Sequence, residues 1–109
     1  VNKTEGPVFL LAVPETVAFA DSKGASISCT AFGRPAPELD WVQVDGSPVE
    51  EVSGLLDILP NNTLYFPPFD SSQFAPSIHN TQYRCKAKNV VGVILSRNVT
   101  VRAGKCALF

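Results

Sequence analysis

The side chains of this 109-residue chain that could do chemistry are few: three cysteines, one histidine and a scatter of carboxylates. Cys29 and Cys85 stand 56 positions apart, and Cys106 lies in the terminal run "GKCALF". A tetrahedral zinc site needs four ligands, and no C-x-x-C pair or second histidine joins His79 to complete one. A catalytic thiol needs an adjacent base, which the stretch "TQYRCKAKNVVG" around Cys85 does not supply. His79 has no serine-elbow motif or glycine-rich phosphate cradle near it, and Asp40, Asp45, Glu50 and Glu51 sit on or near turns without convergent spacing. No enzymatic activity, metal or cofactor is expected. His79 is then either a packed loop histidine or a pH-sensitive group. For Cys29 and Cys85 the strongest reading is a structural bridge, which demands two strands that face each other.

The chain supplies such strands. No apolar spacing of three and four is sustained, so long helices are not expected. Short alternating runs recur instead. "ASISCTA" (25–31) places Ala25, Ile27, Cys29 and Ala31 on one face. "ELDWVQV" (38–44) sets Leu39 and Trp41 against Asp40, Val42 and Val44. "TLYF" (63–66) aligns Leu64 with Phe66, and "NVTVR" (98–102) turns Val99 and Val101 inward. "QYRCKAK" (82–88) buries Tyr83, Cys85 and Ala87 and projects Arg84, Lys86 and Lys88. Turn signals such as "DSKG", "GRPAP", "DGSP" and "PNN" separate these runs. Strands of this length and spacing predict an all-β, two-sheet sandwich. The segment 67–80 reads as an ordered loop with a helical turn near Ser71 to Phe74.

Within that sandwich Cys29 and Cys85 would meet across the core with Trp41 against the bridge, and closing so long a loop stabilises a fold by about 4 kcal/mol. Tyr83 is expected to bond through its hydroxyl to the chain entering its own strand. Gly92 and Asn89 are expected to allow the backbone angles of the following turn. Val42 and Val44 would lie outward beside Arg84, Lys86 and Lys88. They form either an apolar strip rimmed by charge, suited to a protein interface, or a solvated edge.

With 45% hydrophobic residues, 17% charged residues and a formal net charge of −1, the chain fits one globular domain and gives no electrostatic reason to seek nucleic acid or anionic membrane. The expected domain covers 1–104, with 105–109 a flexible tail or the start of a linker. Cys106 is either part of that tail or a partner for a cysteine elsewhere. No stretch is long and apolar enough to span a bilayer. No leader-like succession opens the chain, so a secretory signal is expected to have been removed already. Asn2, Asn61 and Asn98 each begin an N-x-[ST] acceptor tripeptide for N-linked glycan. Together with a bridge they point to the secretory route and an extracellular location.

The "C…W…YxC" framework, with "GRPAPELDW" (33–41) and "CKAKNVVG" (85–92), resembles the I-set type of immunoglobulin domain. A narrower likeness, through "GPVFL" (6–10), "DGSPVEEVSGL" (45–55), "NNTLYFPPF" (61–69) and "IHNTQYRC" (78–85), is to the N-terminal immunoglobulin domain of the Down syndrome cell adhesion molecules (Dscam). The general pattern often has an aspartate four residues before the tyrosine, where this chain has His79. The resemblance implies an immunoglobulin-like Greek-key sandwich in the ectodomain of a single-pass cell-surface receptor. Such a receptor binds the same receptor on an opposing membrane in neuronal self-recognition, axon guidance and, in arthropods, immunity. It also implies packing against other immunoglobulin domains of the same chain, the first on the fourth in a horseshoe, so that the first domain contributes mainly to that scaffold and the strongest self-recognition lies on its neighbours. The alternative is a structural I-set domain of an intracellular muscle or cytoskeletal protein, which carries the same framework with reduced thiols.

Overall fold

The computed structural model describes residues 3–10 and 12–104. Asn2, Cys106 and the expected tail over 105–109 lie outside the described residues. Among the described residues ten strands form two layers: β1 (Glu5–Phe9), β2 (Thr16–Ala20), β3 (Ala25–Ile27), β4 (Ala31–Arg34), β5 (Glu38–Gln43), β6 (Asp57–Ile58), β7 (Leu64–Phe66), β8 (Asn80–Lys88), β9 (Val93–Leu95) and β10 (Val99–Gly104). One layer contains the pair β1–β4 and the sheet β3–β7–β6. The other runs β2–β10–β8–β5, with β9 also on β8. The chain is an immunoglobulin-like sandwich.

The first strands divide between the layers. β1 pairs antiparallel with β4, whereas β2 pairs in parallel with β10. The run read as continuous over 25–31 is two strands, interrupted at residues 28–30. Cys29 lies in the interruption and is nonetheless buried. The long segment before β8 holds a 3-10 turn, Ser71–Gln73, and one α-helical turn, α1 (Pro76–His79).

Burial follows the alternation. Leu64, Phe66, Tyr83, Cys85, Val99 and Val101 are all inside. Cys29 and Cys85 are joined, with Cα atoms 6.5 Å apart, a separation ordinary for a disulfide. Trp41 sits directly opposite Cys85 across β5 and β8. Its indole N–H would be costly to bury alone, and it donates to the Asn62 carbonyl at 2.9 Å. Asn62 presents that carbonyl from a left-handed backbone (φ 65°), which asparagine tolerates better than most residues. The Tyr83 hydroxyl donates to the Ile78 carbonyl at 2.8 Å, tying the loop to the strand it feeds, and burial pushes the phenol's pKa upward. Gly24 (φ 72°) has no room for a side chain, since a Cβ would strike the Phe66 carbonyl.

Candidate interaction face

The outer face of β5, β8 and β9 carries the residues proposed for contact from the sequence, and strand register orders them into rows. Glu38 lies opposite Lys88, Asp40 opposite Lys86, and Val42 opposite Arg84. On the other side of β8, Lys86 faces Leu95 and Lys88 faces Val93. An acidic row therefore adjoins a basic row, and the basic row adjoins half-exposed aliphatic side chains. Opposite charges on directly paired strand positions attract, each pair contributing about 0.2–1 kcal/mol.

The aliphatic part of the expected surface is different. Val42 points outward by alternation but is only 5% exposed. After the turn at 44–47 the chain doubles back along β5: Gln43 donates to Ser47, Val49 donates to Trp41, and Val42 forms a bridge with Pro48. Val42 is thus bracketed by that returning segment and by Arg84, and it offers no contact surface. Val44 remains half exposed in the turn itself. Arg84 is also held, its Nε–H donating to the Ser96 carbonyl at 3.0 Å. Lys88 is exposed and Lys86 half-buried.

Ser96 was not singled out from the sequence. It is buried in the interruption between β9 and β10, accepts the Cys85 N–H at Oγ (2.9 Å) and donates its own N–H to the Cys85 carbonyl (2.8 Å). That double contact fixes the strand bearing the bridge. Asn89 plays a role other than the expected one. Neither it nor Gly92 adopts a positive φ. Its side chain instead works at both ends. Nδ2 donates to the carbonyls of Glu5 (2.7 Å) and Pro35 (3.1 Å), while Oδ1 accepts the N–H groups of Val91 (2.9 Å) and Gly92 (3.3 Å). The turn after β8 is thereby clamped to β1 and to the loop after β4.

His79 is fully buried in the layer of aromatics beneath the loop. Its ring stacks on Phe69 (centroids 3.9 Å, 12° between planes) and lies 5.6 Å from Phe74. Nδ1 accepts the Ala75 N–H at 3.0 Å, and Nε2 is buried without a hydrogen-bond partner. Burial holds its pKa below the usual imidazole range. Asp45 accepts the N–H and hydroxyl of Ser47 within its own turn, contacts that hold its carboxyl below the usual carboxylate range. Asn61 and Asn98 are both exposed. The Asn61 Oδ1 accepts the Thr63 N–H at 3.2 Å, and the Thr100 hydroxyl accepts from Gln82 at 3.0 Å.

No family model matches the chain. Curated relatives do. It is 46% identical over 98 residues to cell adhesion molecule Dscam2 of Drosophila melanogaster, and 42% identical over 99 residues to cell adhesion molecule Dscam1 of the same organism. It is 36% identical over 95 residues to human cell adhesion molecule DSCAM. These matches cover 90%, 91% and 87% of this chain and only 5% of each relative's length. Among solved structures, the N-terminal four Ig domains of Dscam1 isoform 7.44 superpose with a TM-score of 0.91 at 41% identity, over 94% of this chain and 26% of that one. A structure described as giving the structural basis for Dscam isoform specificity superposes with a TM-score of 0.90 at 40% identity, over 96% of this chain and 27% of that one.

Proposed function

The chain belongs to the Dscam family of cell adhesion molecules, and from that premise we propose that it is an extracellular recognition module of a cell-surface receptor. In this reading the receptor binds a second copy of itself on an opposing membrane, and this domain contributes to that self-recognition, in neurons and in immunity. The observation that carries the reading is identity above 40% to two adhesion molecules together with a sandwich of which 94% superposes on part of the N-terminal four Ig domains of one of them, Dscam1.

The chemistry of the chain suits the role. The bridged sulfurs favour an oxidising route, in contrast to the reduced thiols of an intracellular muscle domain. Exposed Asn61 and Asn98 can accept N-linked glycan without disturbing the core. Since the chain spans about 5% of its curated relatives, further immunoglobulin domains of the same polypeptide are also partners in this proposal, with the horseshoe arrangement as the scaffold. Beads coated with the full ectodomain test it. Beads of one kind should cluster with each other and sort away from beads coated with a related ectodomain. Uniform failure to cluster overturns the reading.

A further inference from the structure

The turn after β5 holds the one aspartate of the chain that is followed by glycine. Asp21, Asp40, Asp57 and Asp70 all precede residues with side chains, whereas Asp45 precedes Gly46. That dipeptide has a chemistry of its own. The amide nitrogen of the following residue can attack the aspartate Cγ and close a five-membered ring, and a glycine has no Cβ to obstruct the approach.

Packing does little to oppose the movement. Asp45 and Gly46 are both exposed. Gly46 has φ 90°, and a Cβ added there would meet nothing within 4 Å. Hydrogen bonds inside the turn hold the reactants instead. The Asp45 Oδ1 accepts the Ser47 N–H at 2.9 Å and the Ser47 hydroxyl at 2.6 Å. Both bonds favour the ionised carboxylate, which is a poor electrophile because its departing oxygen must leave as water. The nucleophile is engaged as well, since the Gly46 N–H donates to the Gln43 carbonyl at 2.9 Å. Opening of an exposed turn requires no unfolding of the core, and it frees both groups together.

We propose that Asp45–Gly46 is a site of spontaneous isomerisation to isoaspartate, that Ser47 restrains it, and that conversion uncovers Val42. In the first step a bond forms between the Gly46 nitrogen and the Cγ of protonated Asp45, while the nitrogen's proton and the carboxyl hydroxyl leave as one water. In the second, one water adds to the ring carbonyl that came from the main chain, breaks its bond to nitrogen and leaves it as a free carboxylic acid. The main chain then runs through Cβ and Cγ, longer by one carbon, with no change in mass and no oxidant or cofactor. The extra carbon falls inside the turn that the Gln43 N–H closes on the Ser47 carbonyl at 2.8 Å. The bond from Val49 to Trp41 and the bridge of Val42 with Pro48 follow from that closure. Losing the register lifts the returning segment from Val42 and bares an aliphatic side chain next to the Asp40–Lys86 pair. The site is independent of any partner and of the recognition reading above.

The test ages the 109-residue chain at neutral pH and body temperature, unmodified and as Ser47→Ala and Ser47→Thr, and maps isoaspartate by peptide fragmentation. Isoaspartate should gather at Asp45 ahead of the other four aspartates. Ser47→Ala should speed its formation by about threefold or more, and Ser47→Thr, which keeps a hydroxyl, should not. In urea, where no turn persists, all three chains should react alike. Protection of the Cys85 amide from hydrogen exchange, measured before ageing, shows that each variant is folded. The converted chain, separated by ion exchange, should exchange faster than the unconverted one at Gln43 and Val49 and equally at Cys85. Isoaspartate spread evenly over the five aspartates overturns the site. A folded Ser47→Ala chain that reacts no faster overturns the restraint, and unchanged protection at Gln43 and Val49 after conversion overturns the uncovering of Val42.

Discussion

The two outer faces of this sandwich treat exposed side chains in opposite ways. On β5 and β8, carboxylates and ammonium groups sit opposite one another within a single copy, and Val42 among them is covered by the returning chain, while Val93 and Leu95 of β9 stay half exposed at their margin. On β1 and β4 the charges are fewer and the aliphatic and aromatic surface is bare. A face whose charges already have neighbours in the same molecule gains little from a partner. A bare apolar face gains from covering. Val93 and Leu95 of β9 are about as exposed as Val8 and Phe32, so the density of paired charge, rather than the exposure of hydrophobic groups, separates the two.

The largest disturbance removes the contrast altogether. Cys29→Ala opens the bridge between the layers, and denaturant unfolding should show a loss of about 4 kcal/mol. A loss below about 1 kcal/mol would mean that packing alone holds the faces in place. Acid should act on one side first. His79 has its pKa depressed in the folded state, so the unfolded chain takes up the proton more readily. Its contribution is complete above the unfolded imidazole value, about pH 6.5, and is lost as pH falls below it toward the folded value. Protonated Nδ1 can no longer accept from Ala75. Hydrogen exchange at decreasing pH should therefore expose amides at 76–82 before those of β1 and β4, and His79→Leu should erase that order. Equal loss on both sides would contradict it.

Asn89→Ala should do the reverse, releasing β1 while leaving the β5–β8 ladder intact. Loss of its four contacts should cost about 1–3 kcal/mol, with faster exchange at Glu5 and Val8 than at Lys86. The smallest effect belongs to the charged rows. A double-mutant cycle on Asp40 and Lys86 should return a coupling of about 0.2–1 kcal/mol that fades with added salt. Coupling above about 2 kcal/mol would show that this face is far better ordered than a solvated ladder.

Alternation was enough to reveal which side of a strand each residue occupies. It placed Trp41, Tyr83 and Cys85 on inward faces and the lysines of β8 outward, because a period of two is a local property. It could not reveal what else would come to lie over a residue. Val42 is outward by period and buried by a segment that returns after a turn. Asn89 stood out as a turn residue, yet its work is done on Glu5 and Pro35, 84 and 54 positions away. Val8 and Phe32 gave no signal either, since their adjacency exists only once β1 has crossed to β4. For His79 the sequence posed the alternatives, and the stack on Phe69 supplied the environment.

The parallel pairing of β2 with β10 has a mechanical consequence. β2 and β10 lie side by side and point the same way, so once β1 has parted from β4, tension between the beginning and end of the domain falls on this pair. Pulling them in opposite directions loads the registered positions from Thr16–Thr100 to Ala20–Gly104 together, in shear, instead of peeling them one after another. A joint of this kind yields only when its bonds give way at once.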